Sequence, residues 1–394
     1  MNQDFPKAKI PLAPLLSNQK RNAPSTFKAM SVLNIKNTRL TTSGRAAIAL
    51  ALKHANIQAD SEVLIPAYHC EAMVAPAKWI NAKVTFYKIC PDTSADINDI
   101  TKKLTQNTRA LIVTHYFGFL QNLETLRQLC DQHKIILIED CAHAFFGEYK
   151  QHAIGKTGDY SIASSMKFLP LYEGGILCSE KHNLDNLQLT QPGLTFQIKS
   201  LINILEKSIE YKRLGILGRI MSSLFTIKNT LWTTLKNLKS TQQNKIGPSS
   251  SEGGFGLDPE WIYKSSSQIS KWIINHTDLT ASAYSRRENY LKIHKALANQ
   301  PNCKPLFTEL PDKTIPFVYP LYVNNPDHYF TRLKMLGVPI WRFGEYLDAE
   351  VTKEICPISV EYSQRIFQFP CHQSLTEKEL DWMISNISQT LTEK

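Results

Sequence analysis

The sequence predicts an α/β protein with a large, mainly parallel sheet followed by a smaller C-terminal α/β unit. Three observations predict it. Short, strongly apolar runs recur between Ser43 and Ser179, stretches with helical spacing separate them, and a second alternation of strand and helix starts at Pro316. Strands buried on both faces read as continuous Val/Ile/Leu runs, and helical spacers between them supply the crossovers that parallel strands need.

The elements follow in order. Gly44 to Asn56 places Ala47, Leu50, Ala51 and His54 at helical spacing. Glu62-Val63-Leu64-Ile65-Pro66 is a short strand stopped by proline, Cys70 to Asn81 is helical, and Lys83 to Tyr87 is a strand. A polar stretch from Thr93 becomes helical at Ile97, Arg109 to Thr114 is an apolar strand, and Leu123 to His133 is a helix. Lys134 to Glu139 is then a strand led by lysine that ends in Glu139-Asp140, with His143 three residues on. Asp258 to Gln300 is helical. The domain boundaries expected are 1–40 for an N-terminal segment, 41–196 for the large domain, 197–256 for a basic helical insert with its loop, and 257–394 for a connecting helix and the small domain.

The 394 residues are 43% hydrophobic and 20% charged, an ordinary globular make-up. The first twenty residues lack the apolar run of a signal peptide, and no window is long and uncharged enough to span a bilayer, so a cytoplasmic protein is expected. The eight cysteines form no Cys-x-x-Cys pair, and several lie in apolar runs, as Cys178 does. Reduced thiols are expected, with neither a disulfide framework nor a metal site.

The formal charge of +10 is concentrated in one place. Gln197 to Lys239 holds eight Lys/Arg against Glu206 and Glu210, a net +6, among apolar residues such as Leu201, Ile204 and Ile209. Three readings stand: an amphipathic helical pair packed on the main domain, which is preferred; a dimer arm; or a peripheral membrane contact with anionic lipid. Nucleic acid is not expected, because the basic residues are not interleaved with aromatics in a reader motif.

In parallel sheets, ligands bind beyond the carboxyl ends of the strands. Four polar clusters fall there: Pro66-Ala67-Tyr68-His69, Thr114-His115-Tyr116, Glu139-Asp140-Cys141-Ala142-His143, and the segment around Lys167. A buried strand-end Asp needs a cationic partner, and a protonated pyridine ring supplies one, which suggests pyridoxal 5'-phosphate. Lys167, among Met166, Phe168 and Leu169, is the candidate amine. Ser43-Gly44-Arg45-Ala46 opens a helix whose backbone N–H groups suit a phosphate.

Each signal has a local explanation as well. Asp140 could cap the following helix, Ser43 could be a plain N-cap, His143 could be a satisfied core histidine, and His115-Tyr116 could be packing. Lys167 shifts the balance for Asp140, and the offset from Asp140 shifts it for His143. Arg286 and Arg287 are read as facing solvent or a subunit interface, and His372 is assigned no role.

The order Ser-Gly-x-Ala-Ala, Pro-Ala-Tyr, Glu-Asp-x-Ala-His, then Lys before Glu-Gly-Gly resembles the aspartate-aminotransferase-type fold. More narrowly, it is similar to sugar aminotransferases of the DegT/StrS kind. The similarity runs from about Leu40 to Ser179 and resumes at Arg286-Arg287-Glu288-Asn289-Tyr290 and Phe369-Pro370-Cys371-His372. The resemblance implies pyridoxal 5'-phosphate as cofactor, a keto sugar as acceptor, glutamate as amino donor and a homodimer. It implies that Lys167 is the Schiff-base lysine, that Asp140 pairs with the ring nitrogen, and that His143 stands near the ring. It also implies that Ser43, Gly44, Arg45 and Ala46 hold the phosphate with help from Ser164, while Glu139 stands behind the site.

Two departures follow from the same comparison. Cys70 occupies the place of an aromatic that stacks on the cofactor, leaving Tyr68 or His69 to cover the ring. Ile162 occupies the place of a serine. Of the rivals on the scaffold, a dehydratase would have His in place of Lys167, and a cysteine desulfurase commonly has His where Met166 stands. A regulatory or assembly protein that binds the cofactor without turnover is the alternative from another class.

Overall fold

A computed structural model describes residues 5–18, 22–215, 218, 247–248, 251, 254 and 256–393. The large sheet contains β1 (Asn37–Thr41), β2 (Glu62–Pro66), β3 (Lys83–Tyr87), β4 (Thr108–Thr114) and β5 (Ile136–Cys141). A small hairpin, β6 (Glu148–Tyr149) with β7 (His152–Ala153), precedes its last two members, β8 (Tyr160–Ala163) and β9 (Gly175–Ser179). The order is β1-β9-β8-β5-β4-β2-β3. The strands from β3 to β8 pair in parallel, and β9 runs antiparallel to both β8 and β1.

Alternation along each strand divides the core into two layers. Val63, Ile65, Ala110, Ile112 and Ile138 join one cluster with α1 (Gly44–His54) and α2 (Glu71–Trp79). Leu64, Leu111, Val113 and Leu137 join the other with Ile100 of α3 (Ile97–Lys103) and Leu126 and Cys130 of α4 (Glu124–His133). The small domain is an antiparallel sheet ordered β10-β11-β13-β12, from β10 (Cys303–Pro305), β11 (Val318–Val323), β12 (Trp341–Arg342) and β13 (Ile366–Pro370). Of the basic insert, α5 (Leu194–Glu210) packs against the Gln268–His276 helix and exposes Leu194, Ile198 and Leu201. Most of its remainder, including 219–239, lies outside the described residues, and the readings of the insert fall largely there.

Arg286 corrects a sequence expectation. It faces neither solvent nor an interface but is fully buried in the Leu279–Leu297 helix. Its Nη2 donates to the Lys167 and Phe168 carbonyls at 3.2 and 3.3 Å, Nη1 to Phe317 O at 3.0 Å, and Nε to Gln373 Oε1 at 3.0 Å. It thereby ties the large domain to the small one, and burial lowers its pKa to about 10. Its neighbours on the helix could have revealed this, since Tyr290, Ile293 and Leu297 share its phase and are all buried.

The Glu173-Gly174-Gly175 turn is also built for close packing. A Cβ on Gly175 would overlap the Ser43 carbonyl, so only glycine lets β9 pass against the start of α1. Glu173 is fully buried beside it, and its Oε1 accepts from the backbone N–H and the hydroxyl of Ser267, both at 2.9 Å. Burial raises its pKa to about 7, the serine hydrogen bonds opposing.

Two outcomes follow for stability. Between about pH 4.5 and 7 the folded chain keeps a Glu173 proton that the unfolded chain has released, so stability falls as pH rises through that window. Glu173→Gln should flatten this slope and stabilise the protein at pH 8 by on the order of 2 kcal/mol, read from urea unfolding at several pH values. Arg286→Met leaves buried carbonyls without donors and should cost on the order of 3 kcal/mol or more in the same assay.

Candidate functional site

A cavity of about 310 Å³ opens at the carboxyl ends of β5 and β8, against the N-terminus of α1. Asp140 reaches it because of its place in the strand. It shares a face with Ile138, on the α1 and α2 side, whereas Glu139 points to the opposite face. There Glu139 accepts from Gly158 N–H and from His115 Nε2 at 3.1 Å, while His115 Nδ1 accepts from Gln121 N–H at 3.0 Å. Cys141 lies beside His115 and Glu139, which are held by these hydrogen bonds. Tyr116 donates its hydroxyl to Tyr68 O, so the His115-Tyr116 pair is packing.

Asp140 Oδ1 accepts from Ala142 N–H at 2.8 Å. Burial raises its carboxyl above the ordinary range, against the pull of that hydrogen bond and of the Lys167 cation. Burial lowers the Lys167 amine, against the attraction of Cys70 and Asp140. The amine has no hydrogen bond or ion pair among the described residues, and it stands 5.6 Å from the centre of the Phe317 ring. A half-buried lysine amine whose charged form is disfavoured by desolvation is a nucleophile.

At the other end of the cavity, Ser43 caps α1 with its hydroxyl accepting from Ala46 N–H at 3.2 Å. This corrects one expectation: the Ala46 amide is committed to the cap, and Ala46 does not line the cavity. Gly44, the first helical residue, does, and its N–H is one of the donors that a helix start leaves without an intrahelical partner. Ser43 and Ser164 line it too. Arg45 also lines it, with its guanidinium donating to Gly256 O and Gly254 O at 2.5 and 2.8 Å.

Three expected residues lie elsewhere. Tyr68 is fully buried, stacked on Tyr116 at 5.3 Å and edge-on to Phe343 at 5.0 Å, where its large ring fills the seam with the small domain. His69 stacks on Phe86 at 4.7 Å and accepts from Asp348 N–H through Nε2 at 3.0 Å, and burial lowers its pKa to about 4. Neither lines the cavity, so neither covers a ring bound there; Cys70 is the residue of that turn that faces in. His143 is buried between Phe117 and Phe317, its ring 5.8 and 4.8 Å from theirs, with Nδ1 lacking a hydrogen-bond partner among the described residues. Burial, reinforced by Lys167, keeps it neutral.

Sequence reasoning missed the cavity's other walls: Leu12 and Ala13 from the N-terminal segment, Met73 and Met166 from the large domain, and Phe317 and Trp341 from the small one. Apolar residues carry no local mark that separates a wall from a core, so no motif announces them.

Residues 30–197 match the DegT/DnrJ/EryC1/StrS aminotransferase family. The chain is similar to an L-glutamine:2-deoxy-scyllo-inosose aminotransferase of Streptomyces kanamyceticus, 34% identical over 138 residues, covering 34% of this chain and 32% of that protein. It is also similar to a GDP-perosamine synthase of Vibrio cholerae, 29% identical over 150 residues, covering 37% of this chain and 41% of that one. The matched stretch therefore spans well under half of these relatives. Likeness of fold reaches much further. An aminotransferase from Psychrobacter cryohalolentis superposes with a TM-score of 0.64 at 17% identity, over 91% of this chain and 88% of its own. The structure of ntda from Bacillus subtilis with bound cofactor PMP superposes at 0.59 and 17% identity, over 92% and 74%. No helix among the described residues is long and apolar enough to cross a membrane. Residues 30–197 are thus similar to the DegT/DnrJ/EryC1/StrS aminotransferase family, and over most of its length the chain has the fold of solved aminotransferases.

Proposed function

We propose that the protein is a pyridoxal-phosphate aminotransferase that moves an amino group from glutamine or glutamate to a keto sugar or keto cyclitol. The observation that carries this reading is one cavity shared by a half-buried amine without a hydrogen bond or ion pair among the described residues, a buried carboxylate and a helix N-terminus. These are the three groups the cofactor needs at its aldehyde, its ring nitrogen and its phosphate. The residues fit the group: Gly44 and Ser164 would hold the phosphate, Asp140 the protonated ring nitrogen and Lys167 the aldehyde carbon. When bound, the cofactor supplies an electron sink for the carbon that gains or loses the amine.

The chain's own residues supply the rest. Asp140, costly as a buried lone anion, becomes a paired one when a cation stands beside it, so its charge keeps that cation protonated. Lys167, whose neutral amine desolvation favours, would be the nucleophile toward the cofactor's aldehyde carbon, and as a free amine it would hold and move a proton beside it. His143, kept neutral, can accept a hydrogen bond at Nδ1 but does not contribute a charge. The walls from Met73, Phe317 and Trp341 exclude water from the amine.

The names of the relatives support the donor and acceptor classes, aminosugar or surface-polysaccharide synthesis being the setting. The homodimer belongs to the same reading and rests on resemblance, and a cytoplasmic location rests on the sequence expectation given above. A peripheral membrane contact through 197–239 rests on composition alone.

Protein mixed with pyridoxal 5'-phosphate should show a visible absorption band that glutamine or glutamate shifts to shorter wavelength, and Lys167→Ala should lack it. A band that neither donor moves would instead favour a cofactor-binding protein without turnover. Asp140→Asn should retain cofactor while losing about 10²–10³-fold in the rate of the donor step, measured by stopped-flow absorbance.

A further inference from the structure

The segment 8–16 runs along the cavity mouth without regular structure, and the small domain together with the end of α5 holds it down. Lys9 N–H donates to Gly337 O at 2.9 Å, and Tyr211 donates its hydroxyl to Ala8 O at 3.2 Å. His372 donates through Nε2 to Pro11 O at 3.0 Å, its Nδ1 accepting from Ser374 N–H at 3.2 Å. Ser374 Oγ accepts from Leu15 N–H at 2.9 Å and donates to Leu15 O at 3.0 Å. Ile10 and Leu15 are buried on either side. Between these anchors Leu12 remains 46% exposed and, with Ala13 and Trp341, lines the cavity.

Exposure marks depth. Asp140 and Ser164, on the floor, are 4% and 6% exposed, so Leu12 stands at the mouth. A small amino donor joined at Lys167 occupies the floor, whereas a larger acceptor extends to the mouth. Apolar surface there discriminates by what it cannot hydrogen-bond: a hydroxyl pressed against Leu12 is desolvated without compensation.

We propose that Leu12, fixed by the His372 and Ser374 anchors, is a specificity-determining residue that receives an apolar edge of the keto acceptor, a ring carbon without a hydroxyl or one bearing a methyl group. The acceptor in this proposal rests on the aminotransferase reading above; the apolar wall does not. His372 gains a role in the same step, as a positioning residue for the segment.

Cys70 lines the same cavity and is half-buried, so it reports on the wall without any cofactor. Rates of Cys70 alkylation by N-phenylmaleimide and N-(4-carboxyphenyl)maleimide would be measured by peptide mass spectrometry in cofactor-free protein. The phenyl-to-carboxyphenyl ratio should fall several-fold in Leu12→Ser and further in Leu12→Lys, with buried Cys130 unlabelled throughout as the check on folding. An unchanged ratio in both variants overturns the proposal. With cofactor bound and an acceptor that is turned over, Leu12→Lys should raise the acceptor KM more than it lowers kcat; an unchanged KM also overturns it. A Leu12-dependent ratio in a protein that forms no visible band would keep the wall but remove the acceptor assigned to it, so the two readings fail separately.

Discussion

The structure depends on a buried cation that no carboxylate balances. Arg286 lies wholly inside the protein with no ion pair among the described residues, and backbone carbonyls and one side-chain amide oxygen take up its donors instead. A guanidinium suits this role because its planar fork directs donors at fixed angles and its charge survives burial. Two of those carbonyls belong to Lys167 and Phe168, and a third to Phe317, whose ring faces the Lys167 amine. One side chain thus sets the reactive amine and the wall opposite it. The relative position of the two domains is part of the site itself.

Electrostatics inside the cavity is a balance of a buried carboxylate and a half-buried amine that are each desolvated. Lys167 is pushed toward its neutral form and Asp140 toward its protonated form, and each opposes the shift of the other. Neither effect would arise on the surface, where water would screen both. The α1 N-terminus adds a positive dipole end at the far side, with Gly175 letting β9 lie close enough to hold that end in place. A ligand with an anion at one end and a cation in its ring would relieve all three costs together.

The small domain does more than close the cavity from above. Through Phe317 and Trp341 it supplies aromatic wall, and through His372 and Ser374 it fixes a segment from the other end of the chain across the mouth. The turn around Tyr68 and His69, by contrast, is spent on the seam between domains, its rings packed on Tyr116, Phe343 and Phe86. Aromatic cover that the sequence places after β2 is delivered from the other domain.

The sequence by itself determined the parallel sheet, the strand-end position of Asp140 and the pairing of Lys167 with the Ser43-Gly44 helix start. Those features rest on local rules: apolar runs, strand termini and helix caps act over a few residues and leave their mark in the order of the chain. Tertiary structure alone decided that Arg286 is buried, that Ala46 spends its amide on the Ser43 cap, and that Tyr68 and His69 turn away while Cys70 turns in. It alone brought Leu12, Phe317 and Trp341 to a site whose reactive residues lie more than a hundred positions away in sequence. The reason is physical. A side chain's direction at a strand end, and the choice between wall and core for an apolar residue, depend on what packs against it, and those neighbours arrive from elements that the local pattern does not encode.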